Sequence, residues 1–315
     1  METRPLGHTG VDVSALCLGA MYLGSREGKD VSYSLLDQYL AAGGSFIDTA
    51  NIYAHWVPGG KGGESEILLG QWLKERSNRQ KIFLASKVGF NYSEQESGLT
   101  ARQIEVEAEK SLRRLGVDTI DLYYAHCDDR NTPLEEVMEA FNRLVQAGKV
   151  RFIGASNYLA WRLEKAYWVS EMNGWAKFCC IQQRHTYLRP RPGTTFEPQI
   201  AANDDLLDLC RSEGVTLLAY SGLLSGAYTR EDRPVPEEYR GPDTDARLAA
   251  LRAVAKETGF SPNQVILAWM MQSDPAVLPL IAASTGAQLQ ENIDALNLQL
   301  TTDQLARLSE AGAQV

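Results

Sequence analysis

The chain has 315 residues, 44% hydrophobic and 23% charged, the balance of an ordinary water-soluble protein with length enough for a large core. Its net charge of -9 argues against nucleic acid or an anionic membrane surface as a partner. Five cysteines, odd in number and without C-x-x-C spacing, give neither a disulfide framework nor a zinc ribbon, and no stretch is apolar enough for a membrane span or a signal h-region. A cytoplasmic location is therefore expected.

Leu6 to Val11 reads as a hairpin turn between two short strands. From there the pattern repeats as short apolar run, polar loop and amphipathic segment. Strands are expected at 15–19, 45–48, 82–86, 120–125, 151–155, 178–182, 215–220 and 277–282. Helices are expected at 31–42, 64–76, 101–115, 134–147, 160–172, 202–213 and 262–272, with more helix at 287–296 and 302–312. Thr132-Pro133 and Ser261-Pro262 supply helix starts, and Gly148 a helix stop. The stretch 222–245, rich in Pro, Gly and charge, reads as a long irregular lid or binding loop.

Strand and helix alternating throughout imply a parallel sheet, and about eight such units close a (β/α)₈ TIM barrel. The doubly wound alternative wants G-x-G-x-x-G after its first strand, and GAMYLGSREG does not match. A single barrel domain over 1–315, with an N-terminal hairpin and an extra C-terminal helix, is the expected architecture. Barrel enzymes gather chemistry at the C-terminal ends of strands. Asp48, Lys87, His126, Ser156 with Asn157, Gln182 and Tyr220 each fall at such an end. The run FIDTANIY ends a strand on Asp48 and delivers Tyr53 from the next loop. A phenol ionises near pH 10, so it serves as an acid near neutrality only beside a cation. Lys87 at the next strand end is the cation expected to depress it.

The runs GGSFIDTANIY, FLASKVG, SLRRLGVDTIDLYYAH, LVQAGKVRFIGASNY, YSGLLSGAY and QLQENIDAL resemble the aldo-keto reductases over nearly the whole chain. That resemblance implies a catalytic tetrad of Asp48, Tyr53, Lys87 and His126, with Tyr53 as general acid, Lys87 and Asp48 tuning it, and His126 orienting the substrate oxygen. The implied cofactor is a nicotinamide dinucleotide. Tyr220 would stack on its ring and Ser156, Asn157 and Gln182 would bind its carboxamide, near Asp48 and Met21. Ser221, Leu223 and Ser225 would meet the pyrophosphate, and Ser284, Gln288, Glu291 and Asn292 the adenosine end, as in the long-loop branch that includes potassium-channel β subunits. NADP(H) is favoured and NAD(H) stays open, because Ala282 and Gln288 stand where basic residues often hold the 2′-phosphate, and Arg240 is the candidate replacement. Tyr22, Trp56 and Tyr92, with His126, are the candidate pocket residues. His185 stands where relatives usually carry tyrosine, and reads as a polar replacement in the pocket floor or as a structural histidine.

Reversible reduction of an aldehyde or ketone is the function this implies. The alternatives are an aldose or pyranose dehydrogenase and a cofactor-binding regulatory subunit with little turnover. No metal is expected: four histidines lack helical ligand spacing, and His55, His126, His185 and Cys127 make a poor set. A glycosidase would pair Asp48 with Asp128 or Asp129, but the strand ends where such enzymes tend to carry glutamate hold His126 and Tyr220.

Overall fold

The computed structural model describes residues 1–313. Strands β1 (Thr3–Pro5) and β2 (Asp12–Ser14) pair antiparallel as the expected hairpin. Eight parallel strands then close a barrel in the order β10, β3, β4, β5, β6, β7, β8, β9. They are β3 (Cys17–Gly19), β4 (Phe46–Asp48), β5 (Phe83–Val88), β6 (Ile120–Ala125), β7 (Val150–Ser156), β8 (Phe178–Arg184), β9 (Thr216–Tyr220) and β10 (Val277–Ile281). Each predicted strand is present within a few residues of its expected bounds.

The helices are α1 (Lys29–Ala41), α2 (Glu64–Arg76), α3 (Ala101–Leu115), α4 (Leu134–Gln146), α5 (Ala160–Asn173), α6 (Asp204–Ser212), α7 (Thr244–Thr258), α8 (Pro262–Gln272), α9 (Gly286–Asp294) and α10 (Thr302–Glu310). Helices α3, α8 and α10 begin with reciprocal capping boxes from Thr100 and Gln103, Ser261 and Gln264, and Thr301 and Gln304, which satisfy orphan N–H groups at each start. Thr132 does not cap α4 as expected; its hydroxyl donates to Asp129. Helix α7 was not anticipated. Its five alanines spread apolar surface around the cylinder and blur the periodic signal. The stretch 222–245 holds only two short 3₁₀ turns before α7 begins.

Two cores result. One lies between barrel and helices, with Trp72, Tyr123, Phe141 and Tyr187 among its largest members. The other fills the lower barrel with Phe46, Phe83, Leu122, Tyr124 and Leu218, and the hairpin adds Leu6 and Val13 to it. The hairpin therefore forms a floor. Ser14 Oγ accepts from the Phe46 N–H at 3.0 Å, and the Gly7 N–H donates to Thr216 Oγ1 at 2.7 Å, fastening it beneath β4 and β9. Gly7 is required there, since its φ is +50° and a Cβ would lie 2.2 Å from the Cys179 carbonyl oxygen. No helix among the described residues is long and apolar enough to cross a membrane.

Candidate active site

The upper mouth brings together the residues that end the strands. Asp48 closes β4, Lys87 lies one residue inside the end of β5, and His126 follows β6. Lys87 is fully buried and its Nζ has three partners: the Asp48 carboxylate, the Thr49 carbonyl at 2.8 Å and the Tyr53 hydroxyl at 2.9 Å. Gln182 Nε2 donates to the other Asp48 oxygen at 3.0 Å. A buried carboxylate and ammonium are each costly alone and tolerable only when paired and hydrogen-bonded. The phenol is thereby fixed against a cation.

Burial works against the Lys87 ammonium, but Asp48 and Tyr53 more than offset it, so its pKa lies above the ordinary lysine value. Burial also raises the Tyr53 phenol, with Lys87 opposing it only in part. This corrects the expected depression: among protein groups alone, desolvation wins, and Tyr53 holds its proton through neutrality. Burial, seconded by the Lys87 charge, pushes His126 well below the usual imidazole range, which leaves it neutral. Its Nδ1 is buried without a hydrogen-bond partner among the described residues. Its ring meets the Tyr53 ring edge-on at 6.1 Å between centroids and the Phe90 ring at 4.6 Å.

The Asn157 amide is saturated. Its Nδ2 donates to the His126 carbonyl at 2.9 Å and to Ser156 Oγ at 3.1 Å, while its Oδ1 accepts from Tyr220 OH at 2.7 Å and from the Ile200 N–H at 3.0 Å. Two donors and two acceptor sites are all an amide has. Asn157, at φ +57°, thus holds the Tyr220 hydroxyl, with its own amide engaged within the protein. We expect Asn157→Ala to weaken dinucleotide binding by about tenfold, as a hydrogen-bonded network is lost, and fluorescence titration beside a Tm measurement checks it.

The chain is similar to known proteins over nearly its whole length. The family model described as the aldo/keto reductase family matches residues 15–313. The chain belongs to the aldo/keto reductase family. It is 33% identical to the norsolorinic acid reductase stcV of Emericella nidulans, over 96% of this chain and 79% of the relative. It is 32% identical to the uncharacterized oxidoreductase YrpG of Bacillus subtilis, over 98% and 95%, and 29% identical to an aryl-alcohol dehydrogenase of Pestalotiopsis microspora, over 95% and 79%. As a member of this family the protein is an oxidoreductase.

The surfaces beside the mouth fit a dinucleotide. Tyr220 is half-buried with its ring fixed by Asn157, and Ser156 Oγ, which donates to the Gln182 carbonyl at 2.8 Å, keeps one acceptor site. Ser221, Leu224, Ser225 and Gly226 all have φ between +45° and +93°. Left-handed residues in succession turn backbone N–H groups into a concavity suited to anions, and those of Leu223 and Ser225 have no acceptor among the described residues. At the start of α9, Gln288 folds back to accept from the Ser284 N–H at 2.9 Å, leaving both at an accessible helix start.

Other predicted residues are placed differently. Glu291 accepts from Ser261 Oγ at 2.6 Å and so ties α9 to α8, while buried Asn292 donates to the Ala282 carbonyl at 3.3 Å. Arg240 is exposed and bonds within its own loop, to the Val235 carbonyl at 3.0 Å. Tyr92 is no open wall residue: it is buried and its hydroxyl donates to Glu107 at 2.7 Å. Trp56, 45% exposed, meets the Tyr53 ring edge-on at 6.0 Å, and Met21 and Tyr22 lie half-buried in the turn after β3. His185 stacks on Trp269 of α8 with its pKa lowered to about 4 by burial and Arg247. Among the described residues no three His, Cys, Asp or Glu converge on a metal position.

Sequence reasoning overlooked Phe90 and Glu107. Phe90 could have been found, since it stands three residues past Lys87 where β5 opens into its loop. Glu107 could not: on α3 it reads as one charge of a solvated face, yet it is buried and accepts from both Asn51 and Tyr92.

Proposed function

We propose that this protein is an NAD(P)H-dependent carbonyl reductase in which Tyr53 gives the proton to the nascent alkoxide and retakes it in reverse. The observation that carries this reading is the single Lys87 ammonium bonded at once to Asp48 and to the Tyr53 phenol, opposite a neutral imidazole. The dinucleotide, when bound, supplies the hydride, which no side chain can. The protein supplies the rest. A substrate oxygen between Tyr53 OH and the free edge of His126 meets a proton donor on one side and a neutral hydrogen-bonding ring on the other. Lys87 stabilises the phenolate left after transfer, and Asp48 with Gln182 holds Lys87 in place. Trp56 and Phe90 offer aromatic faces beside that point, which suits an aryl aldehyde or ketone, and a relative named for aryl alcohols agrees.

NADP(H) is our favoured nucleotide, with Ser284 and Gln288 at the α9 start as the phosphate contacts. NAD(H) is favoured instead by one observation, the lack of any Lys or Arg from Val277 to Leu300. Fluorescence titration with NADPH and NADH, followed by turnover of aryl aldehydes, aliphatic ketones and aldoses, decides. Binding of neither nucleotide overturns the proposal, and NADH-linked oxidation of aldoses alone replaces it with a sugar dehydrogenase.

The ionisation states set the pH dependence. Reduction consumes the Tyr53 proton, and with the phenol raised and His126 neutral, kcat/KM for reduction should stay flat from about pH 6 to about pH 9. It should fall only as pH rises past the phenol pKa. A reduction rate that climbs through neutrality would remove Tyr53 from the acid role.

A further inference from the structure

Helix α5 is apolar on two sides. Inward it buries Leu163, Ala166 and Tyr167. Outward it shows Trp161, Trp168 and Met172 at 55%, 60% and 75% exposure. Spacings of seven and four residues put these on one stripe, together with exposed Lys165. Val31, Ile67 and Val106 are exposed one to a helix on α1, α2 and α3, as scattered surface residues usually are. The α5 stripe is instead continuous, and its two indoles are the residue type most enriched where proteins meet.

Its charges are arranged symmetrically. Arg162 is paired inward with Asp128 at 3.0 Å, and exposed Glu171 is ion-paired with exposed Lys177 on the rim of the same face. Lys165 has no ion-pair partner among the described residues. Lys165 and Glu171 stand three residues before and three after Trp168. Beside Trp168 runs a groove of about 560 Å³, also lined by Tyr167, Glu164, Phe152 and Cys179.

We propose that this stripe is the two-fold interface of a homodimer, with the second copy's α5 packed antiparallel across Trp168. A two-fold axis at Trp168 brings each Lys165 to the partner's Glu171, so the ion pair forms twice. The same axis sets the two indoles side by side, each able to enter the groove flanking the other. An isologous contact requires that residue i meet j while j meets i, and equal offsets of opposite charge about a central aromatic meet that condition. A different protein would have no need of such symmetry. The stripe faces outward from the barrel and includes none of the residues placed in the active site.

Sedimentation equilibrium on the full chain over the micromolar range tests this, with turnover and circular dichroism in parallel. The wild type should be dimeric. Trp168→Glu should weaken association at least about tenfold with turnover unchanged. Lys165→Glu and Glu171→Lys should each weaken it, and the two together should restore it, a reciprocity that general destabilisation cannot produce. A monomeric wild type overturns the proposal. So does a dimer unmoved by Trp168→Glu, or a double charge swap that fails to restore what the single swaps lose.

Discussion

Tyr53→Phe should lower carbonyl reduction by about 10²- to 10⁴-fold, the usual worth of a positioned proton donor, while nucleotide binding stays at the wild-type level. The change deletes one oxygen whose only hydrogen bond among the described residues runs to Lys87, and Lys87 keeps Asp48 and the Thr49 carbonyl. The ring keeps its edge contacts with Trp56 and His126, so the fold and Tm should change little. Turnover within a few-fold of wild type, with normal binding, would remove Tyr53 from the mechanism. Lost binding would mean the phenol positions the nucleotide instead.

Lys87→Met should be damaging in two respects. Among the described residues the ammonium is the one cation bonded to Asp48, and removing it leaves a fully buried carboxylate with Gln182 as its remaining side-chain donor. Breaking a buried pair in this way costs about 3–5 kcal/mol, seen as a lower midpoint in denaturant. Activity should be lost as well, because nothing then stabilises the phenolate. The second change Asp48→Asn separates the effects. The double variant Lys87→Met with Asp48→Asn should recover much of the stability and none of the turnover. Should Lys87→Met alone unfold at the wild-type midpoint, the carboxyl is not ionised in the native protein.

Most of the fold was readable because the chain punctuates itself. The strand predicted at 120–125 matches β6 residue for residue, and α2, α3 and α8 match as well, since each is an apolar or periodic run bounded by turn or capping residues. Asp48, Lys87 and His126 were legible for a related reason: a polar group directly at the end of a buried strand has few roles other than facing the mouth. What stayed hidden depends on three-dimensional accounting. Helix α7 spreads its alanines around the axis. Glu107 lies in a helix whose charge pattern resembles a solvated face. The full engagement of Asn157 arises from four partners distant in sequence, and the sign of the Tyr53 shift turns on burial outweighing a neighbouring charge.

The hairpin floor carries a consequence for timing. With Leu6 and Val13 filling the lower barrel, traffic has a single doorway. On the proposed reading, one ligand lies along Tyr220 and the 221–226 turn while the other stops at Tyr53, so the deeper arrives first and departs last. Turnover then runs as a queue closed at one end, where the exit of the deeper ligand, not the bond-making step, can set the pace.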